Sequence, residues 1–310
     1  LAQIKPERDV IDSVFLAKQL TQERVAKYFG RYASGSTRYG LSTASFENLI
    51  VHFPPLPEQR RIAEILTTVD ELIEKTEALI AKYESIKQGM MHDLFTRGID
   101  ENGKLRAPYS DARHLYKDSP LGPIPKTWEV MPLQRCCSEL ITYGIVQAGP
   151  DVEGGIPYIR TGDMSGDVLS RDGLLRTSTD IADSYRRSRV QTGEIVCAIR
   201  ATVGKALMVP SELDGANLTQ GTARIAPSSF VNNDFLLNVM RCEKVACQIE
   251  LQTKGTTFVE ITLKDLRAIL VPVPRMAEQL GIAQVLLAQQ GKIDREHRLL
   301  RKLAEKKTGL

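Results

Sequence analysis

The sequence has 310 residues, 42% of them hydrophobic and 25% charged, and 41 basic against 38 acidic residues give a formal charge of +3. This length allows two domains with ordinary cores, and the near balance of charge neither requires nor excludes a nucleic-acid partner. Five cysteines without a CxxC pair argue against a disulfide framework or a zinc site, and the apolar runs are too short to span a membrane, so we expect a cytoplasmic globular protein with no metal site.

The first segment, residues 1–53, is typical of the end of a domain. Residues 1–6 are similar to residues 222–227, and both predict a strand that ends at a proline. Asp12 and Ser13 are suited to cap a helix that begins at Val14. About 100 residues precede the equivalent point in the second half of the chain. We therefore expect residues 1–53 to be the C-terminal remnant of a domain whose body lies upstream.

A long amphipathic helix is predicted over residues 54–98, after a short apolar strand at residues 49–51. Its apolar residues recur at intervals of three and four, as the a and d positions of a coiled coil do. The residues assigned to this stripe are Ile62, Ile65, Val69, Leu72, Leu79, Tyr83 and Ile86. Such a stripe needs a partner helix to cover it.

Residues 99–118 are polar and interrupted by Gly103 and Pro108, which predicts a linker. Residues 119–272 then have the composition of one complete domain. Short strands are predicted at residues 156–160, 194–200, 205–209 and 218–225, and one helix at about residues 232–251. We expect a mixed sheet with few helices, so that the whole chain is of the α+β class.

A second long helix is predicted over residues 273–310, and we expect it to be cut short at its C-terminal end. Its stripe comprises Ile282, Val285, Leu286, Ile293, Leu299 and Leu303. Pro54 and Pro274, Gln59 and Gln279, and further identical pairs lie 220 residues apart, which indicates an internal repeat. The two helices are therefore expected to pair with each other as a coiled coil, and the alternative is a solvated helix on a globular body.

Polar and basic residues occupy glycine-marked loops of the 119–272 domain. Arginine and lysine at strand ends suit phosphate contacts, and a glutamine can make a bidentate contact with an adenine edge. For each residue alone, turn formation or surface solvation is an equally good interpretation. The candidate DNA contacts are Tyr143, Gln147, Arg160, Thr161, Arg200, Thr202, Lys205, Asn217, Thr219, Gln220, Lys254, Thr256 and Thr257.

Signatures of an enzyme are missing from the sequence. The run Val203-Gly204-Lys205-Ala206 lacks the upstream glycine and the hydroxyl of a nucleotide-binding P-loop. No Asn-Pro-Pro-aromatic or Asp-Pro-Pro-aromatic stretch of an amino-methyltransferase occurs. We therefore expect no catalytic residues in this chain.

Several runs, in this order along the chain, resemble the DNA-specificity subunit of type I restriction-modification systems. They are PLPEQRRIAEIL, LGPIPKTWEVMPL, IPYIRTGDM, GEIVCAIRATVGK, NLTQGTARIAP and KGTTFVEITLKDLRAILVPVP. In that family two target-recognition domains alternate with two long helices, which is the arrangement that the repeat predicts. This chain departs from the pattern because only the end of a first recognition domain is present.

The resemblance implies a non-catalytic subunit that binds double-stranded DNA. Each recognition domain would read one half of a bipartite sequence, while the two helices, paired as an antiparallel coiled coil, set the gap and dock two modification subunits. S-adenosylmethionine would be bound by those modification subunits, and ATP and Mg by a restriction subunit that associates indirectly. The alternative is a stand-alone DNA-binding or scaffold protein, or a half-subunit that homodimerises.

Overall fold

The computed structural model describes residues 4–33, 40–255 and 259–309. They divide into two compact units, one made of Leu1–Glu84 with Lys292–Leu310 and the other of Ser85–Gly291. No described helix has an apolar stretch long enough to cross a membrane.

The helices occur in two series that match the predicted repeat. Each member of the first series begins 220 residues before its counterpart, as with Ser13 and Asn233. The first series comprises α1 (Ser13–Leu20), α2 (Glu23–Tyr32), α3 (Thr43–Glu47) and α4 (Leu56–Thr96), and α5 (Thr179–Ser184) follows it. The second series comprises α6 (Asn233–Arg241), α7 (Glu243–Gln252), α8 (Leu263–Ala268) and α9 (Met276–Gly309).

Equivalent side chains cap equivalent helices in the two series. Asp12 accepts hydrogen bonds from the backbone of Val14 and Phe15 at the start of α1, and Asn232 accepts one from Phe235 at the start of α6. These side chains satisfy N–H groups that have no partner inside the helix. The repeat is thus one of backbone geometry as well as of sequence.

The strands lie in the second unit and form four small sheets. The strands are β1 (Tyr116–Lys117), β2 (Ile124–Pro125), β3 (Glu129–Pro132), β4 (Thr142–Tyr143), β5 (Ile156–Ile159), β6 (Arg176–Thr177), β7 (Ile195–Ala198), β8 (Ala206–Met208), β9 (Asn217–Leu218), β10 (Thr222–Ile225) and β11 (Leu270–Val273). The sheet orders are β4-β10-β7-β8, β6-β5-β9, β11-β3 and β1-β2. β5 and β9 run parallel while the other pairs are antiparallel, so the sheets are mixed, as predicted.

The core of the second unit packs helices against the four-stranded sheet. Trp128, Leu133 and Phe235 have no exposed surface, and Phe95 from the end of α4 packs against Phe235 with ring centroids 5.7 Å apart. Burying a large aromatic side chain contributes about 2–3 kcal/mol. The C-terminal end of α4 is therefore part of this unit's core.

The long helices pair in the antiparallel sense. Lys307 of α9 contacts Asp70 of α4 at 2.7 Å within the first unit. Lys87 of α4 donates to Gln290 of α9 at 2.5 Å within the second unit. As the residue number rises along α4 it falls along α9, which is the expected coiled-coil direction.

The buried seam of α4 differs from the predicted stripe. Thr76, Ile80, Met91 and Leu94 are buried, whereas three residues assigned to the seam are exposed: Ile65, Leu72 and Ile86. The apolar surface of α4 is wider than one a/d stripe. The seam combines the predicted series of Ile62, Val69 and Tyr83, which are half-buried, with the neighbouring series that contains Ile80. The predicted series of Ile65, Leu72 and Ile86 is the one that faces solvent.

Three other predictions were wrong in detail. Residues 49–51 do not form a strand, because no described strand pairs with them, and Ile50 is 74% exposed. The helix predicted over residues 232–251 is broken at Cys242, whose backbone is extended. The strand predicted over residues 218–225 is broken at Thr219–Gly221, which separates β9 from β10.

The predicted linker, residues 99–118, is a packed part of the second unit. Ile99 is buried, and its N–H donates to the Glu278 carboxylate at 3.0 Å. Arg106 makes a double hydrogen bond to the same carboxylate, with one of the two contacts at 3.0 Å. The polar composition of this segment predicted that it would be solvated. Instead, Arg106 pairs with Glu278 in the first turn of α9, so the segment packs there.

Candidate nucleic-acid interface

The strands β5, β7 and β9 of the second unit end close together, and backbone hydrogen bonds hold the residues at these ends. The Thr219 N–H donates to the Ile159 carbonyl at 3.2 Å, and the Ile199 N–H donates to the Gly221 carbonyl at 2.9 Å. The Gln220 N–H donates to the Ile145 carbonyl at 3.0 Å. The backbone that carries the side chains just beyond these strand ends is therefore fixed by hydrogen bonds.

A shallow concavity of about 440 Å³ opens at this point, and we call it the strand-end concavity. Five candidates from the sequence line it together: Arg160, Thr161, Arg200, Thr219 and Gln220. They come from loops up to 60 residues apart in sequence. The fold thus collects guanidinium, hydroxyl and amide groups on one surface.

Arg160 is held in place by Asp163. Its Nε and Nη2 donate to the two carboxylate oxygens at 3.0 and 2.7 Å, and its backbone N–H donates to the same carboxylate at 2.8 Å. The hydrogen bonds that Arg160 donates to Asp163 raise the pKa of the guanidinium. Asp163 is 13% exposed while Arg160 is 42% exposed, so the arginine presents an outer edge to solvent on a fixed support.

Arg200 follows β7 and is held less tightly. Its Nε donates to one oxygen of Glu260 at 3.0 Å, and both side chains are almost half exposed. An exposed ion pair of this kind contributes little free energy, about 0–1 kcal/mol. Arg200 can therefore exchange its carboxylate partner for an external anion at small cost.

The hydroxyls of the concavity are bonded to the backbone. Thr161 donates to the Gly221 carbonyl and Thr219 to the Ile159 carbonyl, both at 3.3 Å. A Cβ at Gly221 would lie 2.6 Å from Thr161 Oγ1, which explains the glycine. Gln220 is partly exposed, and its amide has no hydrogen-bond partner among the described residues.

Tyr143 and Gln147 lie on the chain that borders the concavity. Tyr143 is 37% exposed on β4, where it pairs with Ala223, and Gln147 is exposed in the loop after it. Neither lines the strand-end concavity itself. Both side chains are therefore accessible beside it.

Thr202 and Lys205 line a different and larger concavity, of about 680 Å³. They belong to the tight turn between β7 and β8, where Ala201 has a positive φ of 59°. Among the described residues Ala201 is the one non-glycine with this geometry, which costs about 1–2 kcal/mol. Lys205 donates to the Ser165 carbonyl at 2.8 Å, so its ammonium is tied to the neighbouring loop.

The remaining candidates have other environments. Asn217 is fully buried and donates to the carbonyls of Ala182 and Tyr185. Its side chain therefore holds the 182–188 segment in place. Lys254 is 72% exposed and lies 3.8 Å from Asp265. Thr256 and Thr257 lie outside the described residues.

The sequence interpretation missed three residues of this surface. Tyr158 is 5% exposed and forms part of the concavity. Asp163 and Glu260 form ion pairs with the two arginines and orient them. An acidic residue three positions after an arginine could have indicated the first pair. Glu260 is 60 residues from Arg200, and only the fold brings them together.

The cysteines form no ligand set, and the described part of the chain contains no group of three or more potential metal-binding side chains. Burial raises the pKa of the Cys136, Cys137 and Cys197 thiols to about 12. Cys247 is exposed. The buried thiols therefore behave as small apolar side chains.

Comparison with solved structures shows the same fold. The S subunit of a type I restriction-modification system from M. genitalium aligns with a TM-score of 0.60 at 18% identity, covering 97% of this chain and 72% of that one. The HsdS subunit from Thermoanaerobacter tengcongensis aligns with a TM-score of 0.52 at 17% identity, covering 99% and 70%. The α+β class with two long helices is confirmed.

Sequence relatives lead to the same group. A putative type I restriction enzyme MjaX specificity subunit from Methanocaldococcus jannaschii is 27% identical over 295 residues, 93% of this chain and 64% of the relative. The EcoBI specificity subunit from Escherichia coli is 26% identical over 244 residues, 77% of this chain and 51% of the relative. The chain thus spans between half and two thirds of the length of these two relatives.

A family model completes the assignment. The model for the type I restriction modification DNA specificity domain matches residues 4–85 and 125–305, which include both long helices and most of the domain that carries the strand-end concavity. This match covers far more than half of the chain. The protein belongs to the family of type I restriction-modification DNA specificity subunits, whose members are non-catalytic.

Proposed function

We propose that this chain is a sequence-specific DNA-recognition subunit of a type I restriction-modification complex. The observation that carries the proposal is the strand-end concavity, where two arginines, two threonines and a glutamine share one surface in the family's recognition domain. Cations at this surface suit phosphates, and the amide and hydroxyl groups suit base edges. The chemistry is that of binding, because the concavity holds no nucleophile with an adjacent base.

The 119–272 domain would read one half of a bipartite target. A second recognition domain, held at a distance by the paired helices, would read the other half. Rigid separation of two readers converts helix length into half-site spacing. Changing the number of residues in α4 and α9 together should therefore change the gap between half-sites and leave the bases unchanged.

The helices offer a surface for partner subunits. Within the first unit, Ile65 is 38% and Leu72 is 45% exposed, at the same heptad position of α4. Ile86 of the second unit occupies that heptad position too and is 41% exposed. A repeated apolar stripe on a long helix suits a partner helix. Two modification subunits are the partners that we propose for the helices, and a restriction subunit would associate through them.

The chemistry of the complex would reside in those partners. S-adenosylmethionine would bind to the modification subunits, and ATP and Mg would bind to the restriction subunit. This chain would bind neither. Equilibrium dialysis of the isolated chain with labelled S-adenosylmethionine should show no retention, and methyl transfer to DNA by the chain alone would overturn the division of labour.

DNA recognition is tested by selection from a pool of duplexes with random sequence, using the full chain together with its modification subunits. We expect one enriched half-site, and an affinity that falls steeply with salt because phosphate contacts release counterions. Retention of the pool without any enriched sequence, at every salt concentration, would contradict the proposal.

The alternative is a stand-alone DNA-binding or scaffold protein, or a half-subunit that homodimerises. Co-purification with the modification subunit discriminates between them. Replacing Leu72 with Glu should abolish the complex, while Glu74→Gln on a charged face of α4 serves as the matched control. Absence of a complex with the folded wild-type chain would favour the alternative.

A further inference from the structure

The two arginines of the strand-end concavity differ in how they are held, and this difference separates base reading from phosphate binding. We propose that Arg160 reads a guanine through the major groove, with Asp163 as its positioning residue. The inference rests on the proposed DNA-recognition function. It adds to that function the base that one named side chain recognises.

The hydrogen-bonding geometry of Arg160 leaves a defined set of donors. A guanidinium has five N–H groups, and Asp163 accepts from Nε and from one side of Nη2. Both hydrogens of Nη1 and the outer hydrogen of Nη2 have no partner among the described residues. One hydrogen of Nη1 and the outer hydrogen of Nη2 point in the same direction. The spacing of these two donors matches the O6 and N7 acceptors of guanine.

The local charge also favours a base over a phosphate. Asp163 neutralises Arg160 at 2.7 Å, so the pair has no net charge. A phosphate placed on the outer edge of Arg160 would be repelled by the carboxylate behind it. A guanine edge has acceptors but no net charge, and it gains from a donor pair that a carboxylate polarises.

Rigidity supports the same assignment. Asp163 is 13% exposed and also accepts the Arg160 backbone N–H, which fixes both ends of the arginine side chain. Specific recognition needs donors that are already oriented, because flexible side chains lose conformational entropy on binding. Arg200 has a single bond to the half-exposed Glu260 and suits a phosphate, whose position is not sequence-dependent.

The experiment compares half-sites selected by the full chain and its variants in the complex with modification subunits. Arg160→Ala and Arg160→Lys should each lose the preference for one G·C pair by about 10- to 100-fold and keep the rest of the half-site. Asp163→Asn keeps the guanidinium but loosens it, so about a third to a tenth of that preference should remain. Thermal melting of each variant checks that it is folded.

Arg200→Ala is the matched control. It removes an arginine from the same concavity, and it should weaken binding to all sequences alike while reducing the slope of log affinity against log salt by about one. If Arg160→Ala behaves as Arg200→Ala does, or leaves every base preference unchanged, Arg160 is not the reader.

Base analogues identify the atoms. Substituting 7-deazaguanine at the position in question removes the N7 acceptor, so it should weaken wild-type binding and have no effect on Arg160→Ala. Inosine keeps O6 and N7 and loses the minor-groove amino group, so it should bind the wild type normally. A loss with inosine instead would overturn the major-groove assignment. Failure of the wild-type chain to select any sequence would overturn the proposed function itself, which is a distinguishable result.

Discussion

The two copies of the repeat share a glutamine that joins the start of a long helix to a preceding loop. Gln59 accepts from the Asp12 N–H and donates to the carbonyls of Val10 and Pro54, at 2.8 to 3.0 Å. Gln279 accepts from the Asn232 N–H at 2.8 Å and donates to the carbonyls of Phe230 and Pro274 at 3.1 and 2.9 Å. Each partner lies 220 residues from its counterpart.

The neighbouring residue shows where the copies differ. Glu278 binds Arg106 and the Ile99 N–H, whereas Glu58 is exposed and has no ion pair among the described residues. Three positions further along, α9 has Gly281, where a Cβ would lie 2.5 Å from Ile99 Cδ1. The first copy has Arg61 there, which pairs with Glu64 on the helix surface.

This comparison separates two kinds of information in a duplicated sequence. The buried glutamine completes a backbone arrangement that both copies need, so the same side chain serves twice. The glutamate is identical in sequence but structural in only one copy, because the 98–106 segment packs on α9. Identity between repeats therefore predicts shared backbone geometry better than it predicts shared contacts.

Removing Arg106 should destabilise the second copy strongly and leave the first copy unaffected. Arg106→Ala should lower the free energy of unfolding by about 3–4 kcal/mol, because Glu278 is 10% exposed and would keep its charge without a partner. Urea unfolding measures the change. Glu58→Gln in the first copy is the control and should shift stability by less than about 0.5 kcal/mol. Equal losses from both variants would show that Glu58 also has a structural partner.

Removing the shared glutamines should have a smaller effect and act on both copies. Gln279→Ala is expected to cost about 3 kcal/mol and Gln59→Ala about 2 kcal/mol, because each leaves a backbone N–H and two carbonyls unpaired. The second copy loses more because its surroundings are more deeply buried. Hydrogen exchange at Asn232 and Asp12 locates each effect. If either variant exchanged faster at both sites, the two glutamines would not act independently.

Gly281 and Arg61 occupy equivalent positions in the two copies, and exchanging them tests how each position is packed. Gly281→Arg should displace Ile99, which is 7% exposed, and cost about 2 kcal/mol through lost apolar burial. The reciprocal Arg61→Gly should cost about 1 kcal/mol, the helix-propensity penalty of an exposed glycine. Limited proteolysis within residues 99–106 should accelerate in the first variant only. Unchanged proteolysis would mean that Ile99 does not hold this segment.

The smallest effect concerns pH. Hydrogen bonds from Lys18 and Lys307 lower the pKa of Asp70, whose counterpart in the repeat is Gln290. A lowered folded-state pKa gives stability that is present above the unfolded value of about 4 and is lost as pH falls through the folded value. Asp70→Asn should cost about 0.5 kcal/mol near pH 7 and progressively less as pH falls below about 4, measured by urea unfolding. A constant difference across pH would contradict this origin.

The sequence predicted the repeat, the long helices and five of the eleven strands that the structure describes, because periodic apolar residues and turn residues act locally. It did not predict the break at Cys242, where no glycine or proline marks the extended backbone. It also assigned Ile65, Leu72 and Ile86 to the seam, although they are exposed, since neighbouring apolar series of similar hydrophobicity compete and the partner helix decides. Packing of residues 99–118 depended on the distant Glu278.

The fold brings five candidates at strand ends together, whereas other candidates have environments that distant segments set. Arg160 and Arg200 were chosen by residue type and position, and the fold brings them to one concavity. Asn217 has the same residue chemistry as a base-reading side chain, but the 182–188 segment covers it. Burial by a distant segment leaves no mark in the local sequence.

The unequal burial of the thiols makes this chain suited to optical measurements without mutagenesis. A maleimide dye reacts with thiolates, and thiols with pKa values of about 12 supply almost none at neutral pH. Cys247, exposed on α7 of the domain with the strand-end concavity, should therefore take up one dye per chain. Fluorescence anisotropy of that dye can follow assembly with DNA on the native sequence.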